Sequence, residues 1–295
     1  MDNFIILEEI CQTQLSTILR CKNKTTKEIV VLKEIYQKKS EEAPSKQVLR
    51  ELLVLMNFEH PNIVKYHSVF VHHSNIVIEM EFCITTLSQI IKQISKPFHT
   101  AQIKKITRSI AQGLKYLHDH DIVHRDIKPG NIFVDENCIL KLGDFGSSRI
   151  INENIKQLTP LIGTKWYKAP EVIFAKKDYD KKVDIWSFGC LIAELFLLEP
   201  LFPGATDFEM INLIFGFLGY TKEDEEILKP KLQIQYKEQK KNIFEDTFDC
   251  ADALAIDLMK KMVCINPEKR IDIDGVLKHP YLDNEDDYID VNLPI

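Results

Sequence analysis

Two short stretches hold most of the residues whose types and spacing could do chemistry. In "VHRDIKPGNIFV" and "LKLGDFGSSR", His124-Arg125-Asp126 is followed by Lys128 and Asn131, and then by Asp144-Phe145-Gly146. Asn131 offers an amide oxygen and Asp144 a carboxylate, hard ligands suited to Mg2+. A further cation, Lys33, stands alone in the apolar run "EIVVLKEI". Taken singly, each is an ordinary charged loop residue or an Asp-Gly turn. Together they spell out most of an apparatus for holding phosphates, with one part missing. The segment "ICQTQLSTI", residues 10–18, has no glycine, and the first glycine of the chain is Gly113.

The elements that must position these residues follow from periodicity. "EIVVLKEI" and "NIVIEMEF" are β-branched runs of strand length. In the first, Ile29, Val31, Lys33 and Ile35 share a face by period two, so Lys33 projects among apolar neighbours. Between them, "PSKQVLRELLVLM" reads as a helix opened by Pro44 and Ser45, with Val48, Leu52, Leu55 and Met56 at helical spacing. From residue 98 the pattern turns mostly helical. Ile103, Ile106, Ile110, Leu114 and Leu117 make one core stripe, and "VDIWSFGCLIAELFLL" is apolar nearly all round, as a buried helix is. Two short strands, "NIFV" and "ILKLGDFG", are joined by a "DENC" turn. Residues 221–242, rich in Lys and Glu, and the acidic "DNEDDYIDV" read as solvated surface.

Composition narrows the class. The 295 residues are 45 % hydrophobic, ample for a large core, and the net charge of −6 argues against a general nucleic-acid or anionic-membrane binder. Seven scattered cysteines without a CxxC pair fit reduced thiols. The start "MDNFIILEE" lacks the pattern of a secretory signal, and no uncharged run reaches the ~18 apolar residues of a membrane span. The expectation is a soluble protein of the cytoplasm or nucleus, with no nucleic-acid or membrane partner.

In their order and spacing, the two stretches resemble the catalytic and metal-binding loops of a protein kinase. "KAPE" at 168–171 follows where the activation segment of that family ends, and Lys33 precedes Glu51 by one strand and one helix. The resemblance covers residues 4–282. It implies an α+β, bilobal protein kinase fold, with a small β-rich N-lobe carrying one regulatory helix over 1–82. A larger, mainly helical C-lobe would span 83–295 and end in a short acidic tail at 283–295. The implied cofactors are ATP and Mg2+. Asp126 would orient the substrate hydroxyl and accept its proton, and Lys128 would reach the γ-phosphate. Lys33, paired with Glu51, would hold the α- and β-phosphates, and Asn131 and Asp144 would hold the metal. Ile10, Ile18, Val31, Met80, Glu81, Cys83 and Phe133 would line the nucleotide pocket together with Lys33, Asn131 and Asp144. His124 reads as structural. Lys128 in "HRDIKPGN" is similar to serine/threonine rather than tyrosine kinases.

Within the family, "PSKQVLRE", "TKWYKAPE" and "DIWSFGCLIAELFLLEPLFPG" resemble the CMGC group and its cyclin-dependent kinases, with "SEEAPSKQVLRE" similar to the cell-cycle-related branch. This implies protein substrates and a cyclin-like activator at the 44–57 helix. It also places Arg50, Arg125 and Arg149 around a phosphorylated Thr159, where arginine forks would bind the phosphate. The chain departs from the pattern in several places. Cys11, Thr13 and Ser16 stand where the glycine loop has its glycines, and their bulk and stiffness predict weaker ATP binding. Val31 narrows the pocket above the adenine. Gly163 and Lys168 replace the valine and arginine behind the family's preference for proline after the target residue, and lysine lacks the planar fork. Gln14 and Leu15 replace its inhibitory Thr-Tyr pair. Two readings follow: an active Ser/Thr kinase, favoured by the intact set Lys33, Glu51, Asp126, Lys128, Asn131 and Asp144, or a pseudokinase scaffold, favoured by the missing glycines.

Overall fold

Five antiparallel strands make the first layer: β1 (Phe4–Gln12), β2 (Ser16–Asn23), β3 (Ile29–Ile35), β4 (Tyr66–His72) and β5 (Asn75–Glu81), in the order β1-β2-β3-β5-β4. The computed structural model describes residues 1–36, 56, 59–151, 165–175, 179–228, 243–249, 251–284, 288 and 291–294. The helix expected over 44–57, with Arg50 and Glu51, lies outside them but for Met56, as do Thr159 and Gly163.

The register of the central strands sorts their side chains into two sets. Ile18, Lys33 and Ile78 stand in one cross-strand row, and Arg20, Val31 and Met80 in another two residues away, on the same face. The alternate positions Leu19, Cys21, Val30, Leu32 and Val77 turn to the other side and form a small core of their own. Lys33 thus faces the rest of the molecule, as the period-two reading requires.

The second layer is helical. Helix α1 (Leu87–Gln93) follows the short strand β6 (Thr85–Thr86), and α2 (Thr100–Asp119) runs for 20 residues. Ile103, Ile106, Ile110, Leu114 and Leu117 are all buried, as their spacing predicts. At about 1.5–3 kcal/mol per side chain, as an upper bound, this stripe is a main anchor of the layer. Then come β7 (Ile122–Val123), β8 (Ile132–Val134), β9 (Leu140–Leu142) and β10 (Arg149–Ile150). β8 and β9 form the expected hairpin, whose turn closes as Asp135 Oδ1 accepts the N–H groups of Asn137 and Ile139. Helices α3 (Pro170–Ile173), α4 (Lys182–Leu197), α5 (Asp207–Leu218), α6 (Lys222–Leu228), α7 (Phe244–Thr247), α8 (Ala253–Met262) and α9 (Ile273–Leu277) complete the layer. Residues 183–196 of α4 are all buried, so it is the central helix its all-round apolarity predicts. Among the described residues no helix is long and apolar enough to cross a membrane.

One expectation needs correcting. The acidic tail does not simply lie in solvent. Tyr288 is buried and donates its hydroxyl hydrogen to Leu282 O, and Leu293 joins the main core. Gln102 and Lys105 of α2 donate to the carbonyls of Asn292 and Val291. The composition of "DNEDDYIDV" is acidic, but an aromatic ring and a following leucine have more to gain from burial than their neighbours lose.

Candidate active site

The loop after β7 is held from below by one buried carboxylate. Asp184, at the start of α4, has no solvent exposure. It accepts the backbone N–H groups of His124 and Arg125 at 2.8 and 2.7 Å and the His118 Nε2 hydrogen at 2.9 Å. Arg125 sits at φ 68°, a left-handed conformation that costs free energy for a residue with a Cβ. The Asp184 bond to its N–H holds it there. His124 Nε2 bonds to Gly143 O at 3.1 Å, and because a carbonyl only accepts, Nε2 carries the hydrogen. Nδ1 then accepts the Asp126 N–H at 3.3 Å. With both ring nitrogens engaged and no exposure, His124 ties the two motif stretches together and moves no proton.

This scaffold presents Asp126 between two donors. Lys128 Nζ lies 2.7 Å from its Oδ2, and Asn131 Nδ2 donates to the same oxygen at 2.8 Å and to the Asp126 carbonyl at 2.8 Å. The Asn131 amide orientation set by these bonds leaves its oxygen, not its nitrogen, available to a cation. Gly143 N donates to Asn131 O at 3.0 Å, which places the Asp144 turn directly against this loop. Gly143 is needed there because a Cβ would come within 2.7–2.9 Å of the Phe133 ring and the Val64 side chain. Asp144 itself is left-handed at φ 59° and meets Lys33 Nζ at 3.4 Å. Burial pushes its carboxyl upward, but the charges of Lys33 and Lys128 and the bond from Lys33 outweigh burial and hold it below the usual carboxylate range. An ionised carboxylate beside an amide oxygen is a hard donor pair that fits a divalent cation carrying phosphate ligands of its own.

The face expected to take a nucleotide is assembled from the sheet. Ile18, Val31, Lys33 and Met80 share one face through the rows described above, and Glu81 ends β5 with its carboxylate held by the Lys65 N–H at 2.6 Å and Lys141 Nζ at 3.0 Å. Phe133 lies below, on β8, against Gly143. Cys83 follows the end of β5. Burial first, and then the negative charge of Glu81, push its thiol up to about 12, so it stays protonated and inert. Ile10 lies at a bulge in β1, between the pairs Glu9–Leu19 and Cys11–Ile18, and is 48 % exposed.

Comparison with known proteins agrees with this geometry. Residues 4–282 match the model of the protein kinase domain. It belongs to the protein kinases, among the cyclin-dependent-kinase-like members of the CMGC group. Cyclin-dependent kinase 20 of Homo sapiens is 31 % identical over 290 residues, which take in 95 % of this chain and 83 % of that protein. Cyclin-dependent kinase G-2 of Oryza sativa subsp. indica is 33 % identical over 294 residues, and cyclin-dependent kinase 11B of Mus musculus is 33 % identical over 288. The matched region covers 95 % of this kinase but only 41 % and 37 % of those two.

The kinase holds its activation-segment end as firmly as its catalytic loop. Glu171 and Arg270, both buried, form a two-pronged ion pair at 2.8 and 3.2 Å, and Arg270 also donates to the carbonyls of Lys182 and Cys264. Tyr167 donates to Glu194 at 2.6 Å, and Ser187 Oγ donates to Tyr167 O at 2.7 Å. Lys168 is half-buried. Burial lowers its ammonium, and Lys165 adds to that, against the opposing pull of Asp207 and Asp126. Of the three arginines expected to gather, Arg125 donates to Ser147 O at 2.7 Å and to Tyr179 Oη at 3.0 Å. Burial raises the Tyr179 phenol, while the charge and hydrogen bond of Arg125 and the charge of Arg149 oppose it. Arg149 Nη1 is buried with no hydrogen-bond partner among the described residues.

Sequence reasoning missed Asp184, the Glu171–Arg270 pair and Tyr179. The one signal for Asp184 was an acid inside an otherwise apolar helix, where a charge persists only if its bonds are made. Nothing in the spacing couples Glu171 to Arg270, 99 residues apart.

Proposed function

We propose that this protein is an active serine/threonine protein kinase that uses ATP and Mg2+. The observation that carries the reading is the Asp126 carboxylate, held at 2.7–2.8 Å by Lys128 and Asn131, beside the ionised Asp144–Lys33 pair. All these groups are present and mutually placed, whereas a scaffold has no chemical need for them. A Ser or Thr hydroxyl oxygen attacks the γ-phosphorus, the bond to the β–γ bridging oxygen breaks, ADP leaves, and the hydroxyl proton passes to Asp126. Lys128 neutralises charge on the transferred group, and Lys33 holds the α- and β-phosphates. Asn131 and Asp144 would hold the metal, which supplies charge neutralisation across the phosphates. Lys128 in "HRDIKPGN" supports serine or threonine over tyrosine. The names of the relatives support a cyclin-like activator at residues 44–57, and the charges of Arg125 and Arg149, both felt at Tyr179, support phosphorylation of Thr159; Thr159 and all of 44–57 but Met56 lie outside the described residues. Transfer of label from γ-labelled ATP to Ser, Thr and Tyr peptides tests the reading.

A second reading, a kinase fold used as a scaffold, is favoured by one observation. The hairpin at residues 11–16 has no glycine, and it is closed by its own side chains. If no peptide is phosphorylated while nucleotide still binds, this reading replaces the first.

A further inference from the structure

The tip of the β1–β2 hairpin satisfies its own amides. Thr13 Oγ1 accepts the N–H of Leu15 at 3.2 Å and that of Ser16 at 3.0 Å. The same hydroxyl contacts Ser16 O at 3.1 Å and Ser16 Oγ at 3.2 Å, while Thr13 N donates to Ser16 O at 2.8 Å. The tip is also fastened to the end of β3. Tyr36 N donates to Leu15 O at 2.9 Å, and the Tyr36 hydroxyl bonds to Thr17 Oγ1 and receives Gln12 Nε2 at 3.4 Å. The turn is closed by a side-chain oxygen, a local bond of the kind Ser and Thr form with backbone two or three residues on.

This arrangement bears on nucleotide binding, because backbone N–H groups at such a tip are what a covering loop offers to phosphate oxygens. We infer that Thr13 sets the nucleotide affinity of this kinase by occupying, with its hydroxyl oxygen, two amides that would otherwise serve the phosphates. The inference rests on the proposed function, an ATP-using kinase in which this hairpin stands where the family has its glycine loop. In the wild type a phosphate oxygen must displace Thr13 Oγ1 from Leu15 N–H and Ser16 N–H, so the gain is only the difference between a charged and a neutral acceptor. Without the hydroxyl the two amides are left to water and the full exchange favours phosphate. The backbone bond from Thr13 N to Ser16 O is independent of the side chain and keeps the hairpin closed.

The test compares wild type with Thr13→Val, which removes the hydroxyl at nearly constant volume, and Thr13→Ser, which keeps it. Isothermal titration with a non-hydrolysable ATP analogue and Mg2+ gives the affinities. Thr13→Val is expected to bind about threefold to tenfold more tightly, and Thr13→Ser within about twofold of wild type. Equal or weaker binding by Thr13→Val overturns the inference, as does tighter binding by both variants. Failure of the functional reading looks different: peptide phosphorylation is absent in all three proteins while the order of affinities stands. Amide exchange at Leu15 and Ser16 in the free proteins is a second measurement. Faster exchange in Thr13→Val supports the bonds, and unchanged exchange overturns them.

Discussion

The catalytic loop and the β1–β2 hairpin would grip the same nucleotide from opposite sides, and they are built in opposite ways. The backbone of the catalytic loop is tied to buried groups, His124 and Arg125 to Asp184 and the His124 ring to Gly143, while Asn131 and Lys128 bond to the half-buried Asp126. The hairpin tip, residues 11–15, is exposed and bonds to itself and to Tyr36. Positions that must be held to a fraction of an ångström are tied to buried elements, and the cover is left to a local turn. Side-chain changes in the first region should therefore act on the chemical step and on stability, and in the second on affinity alone.

The largest effect that could break this comparison is at Asp144. Asp144→Asn removes the carboxylate proposed to hold the metal, and turnover is expected to fall by at least about 10²–10³. The unfolding free energy should stay within about 0.5 kcal/mol, since the side chain is partly exposed. Turnover near wild type would take Asp144 out of the account. Next is Asp184→Ala, which strands two buried N–H groups and His118. A loss of about 3 kcal/mol or more in urea unfolding is expected, together with reduced turnover. A loss below 1 kcal/mol would mean that the loop is anchored elsewhere.

A smaller effect sharpens the contrast. Changing Cys11, Thr13 and Ser16 together to glycine should tighten binding of an ATP analogue by about threefold to thirtyfold, the freed contacts being partly offset by loop entropy. The unfolding free energy should hardly change. A shift of 100-fold or more would make the hairpin the dominant grip. The mildest test is by pH. Asp144 is depressed in the folded state, so its contribution is fully present above the ordinary carboxylate value of 3.8 and fades as pH falls below it. The stability difference between wild type and Asp144→Asn should be flat from pH 7 to 5 and shrink toward pH 3, as read from urea melts. A difference that decays already near pH 6 would show that the carboxyl is raised instead.

What was legible in the sequence was whatever local spacing encodes. Lys33 faces the site because period two puts it with Val31, and α2 buries the five residues its 3.6-residue repeat selects. The stretches carrying Asn131 and Asp144 lie side by side because a five-residue connection joins two short paired strands. Asp184 was not legible as the loop's anchor, because its partners lie about 60 residues upstream and no period connects them. Thr13 was read as a bulky substitute for glycine, and the bonds of its oxygen to two amides could not be read from the sequence, because they depend on the turn the chain takes there. Tyr288 was hidden by its acidic neighbours, since composition averages over a segment and burial is decided side chain by side chain.

The central claim is that the intact catalytic loop makes this an active Ser/Thr kinase despite its glycine-free cover. The most direct measurement incubates purified protein with γ-labelled ATP, Mg2+ and matched Ser, Thr and Tyr peptide libraries, with Asp126→Asn in parallel. The account predicts label on serine or threonine and a drop of at least about 10² in Asp126→Asn. Label on tyrosine alone, equal label in Asp126→Asn, or bound nucleotide with no transfer would contradict it.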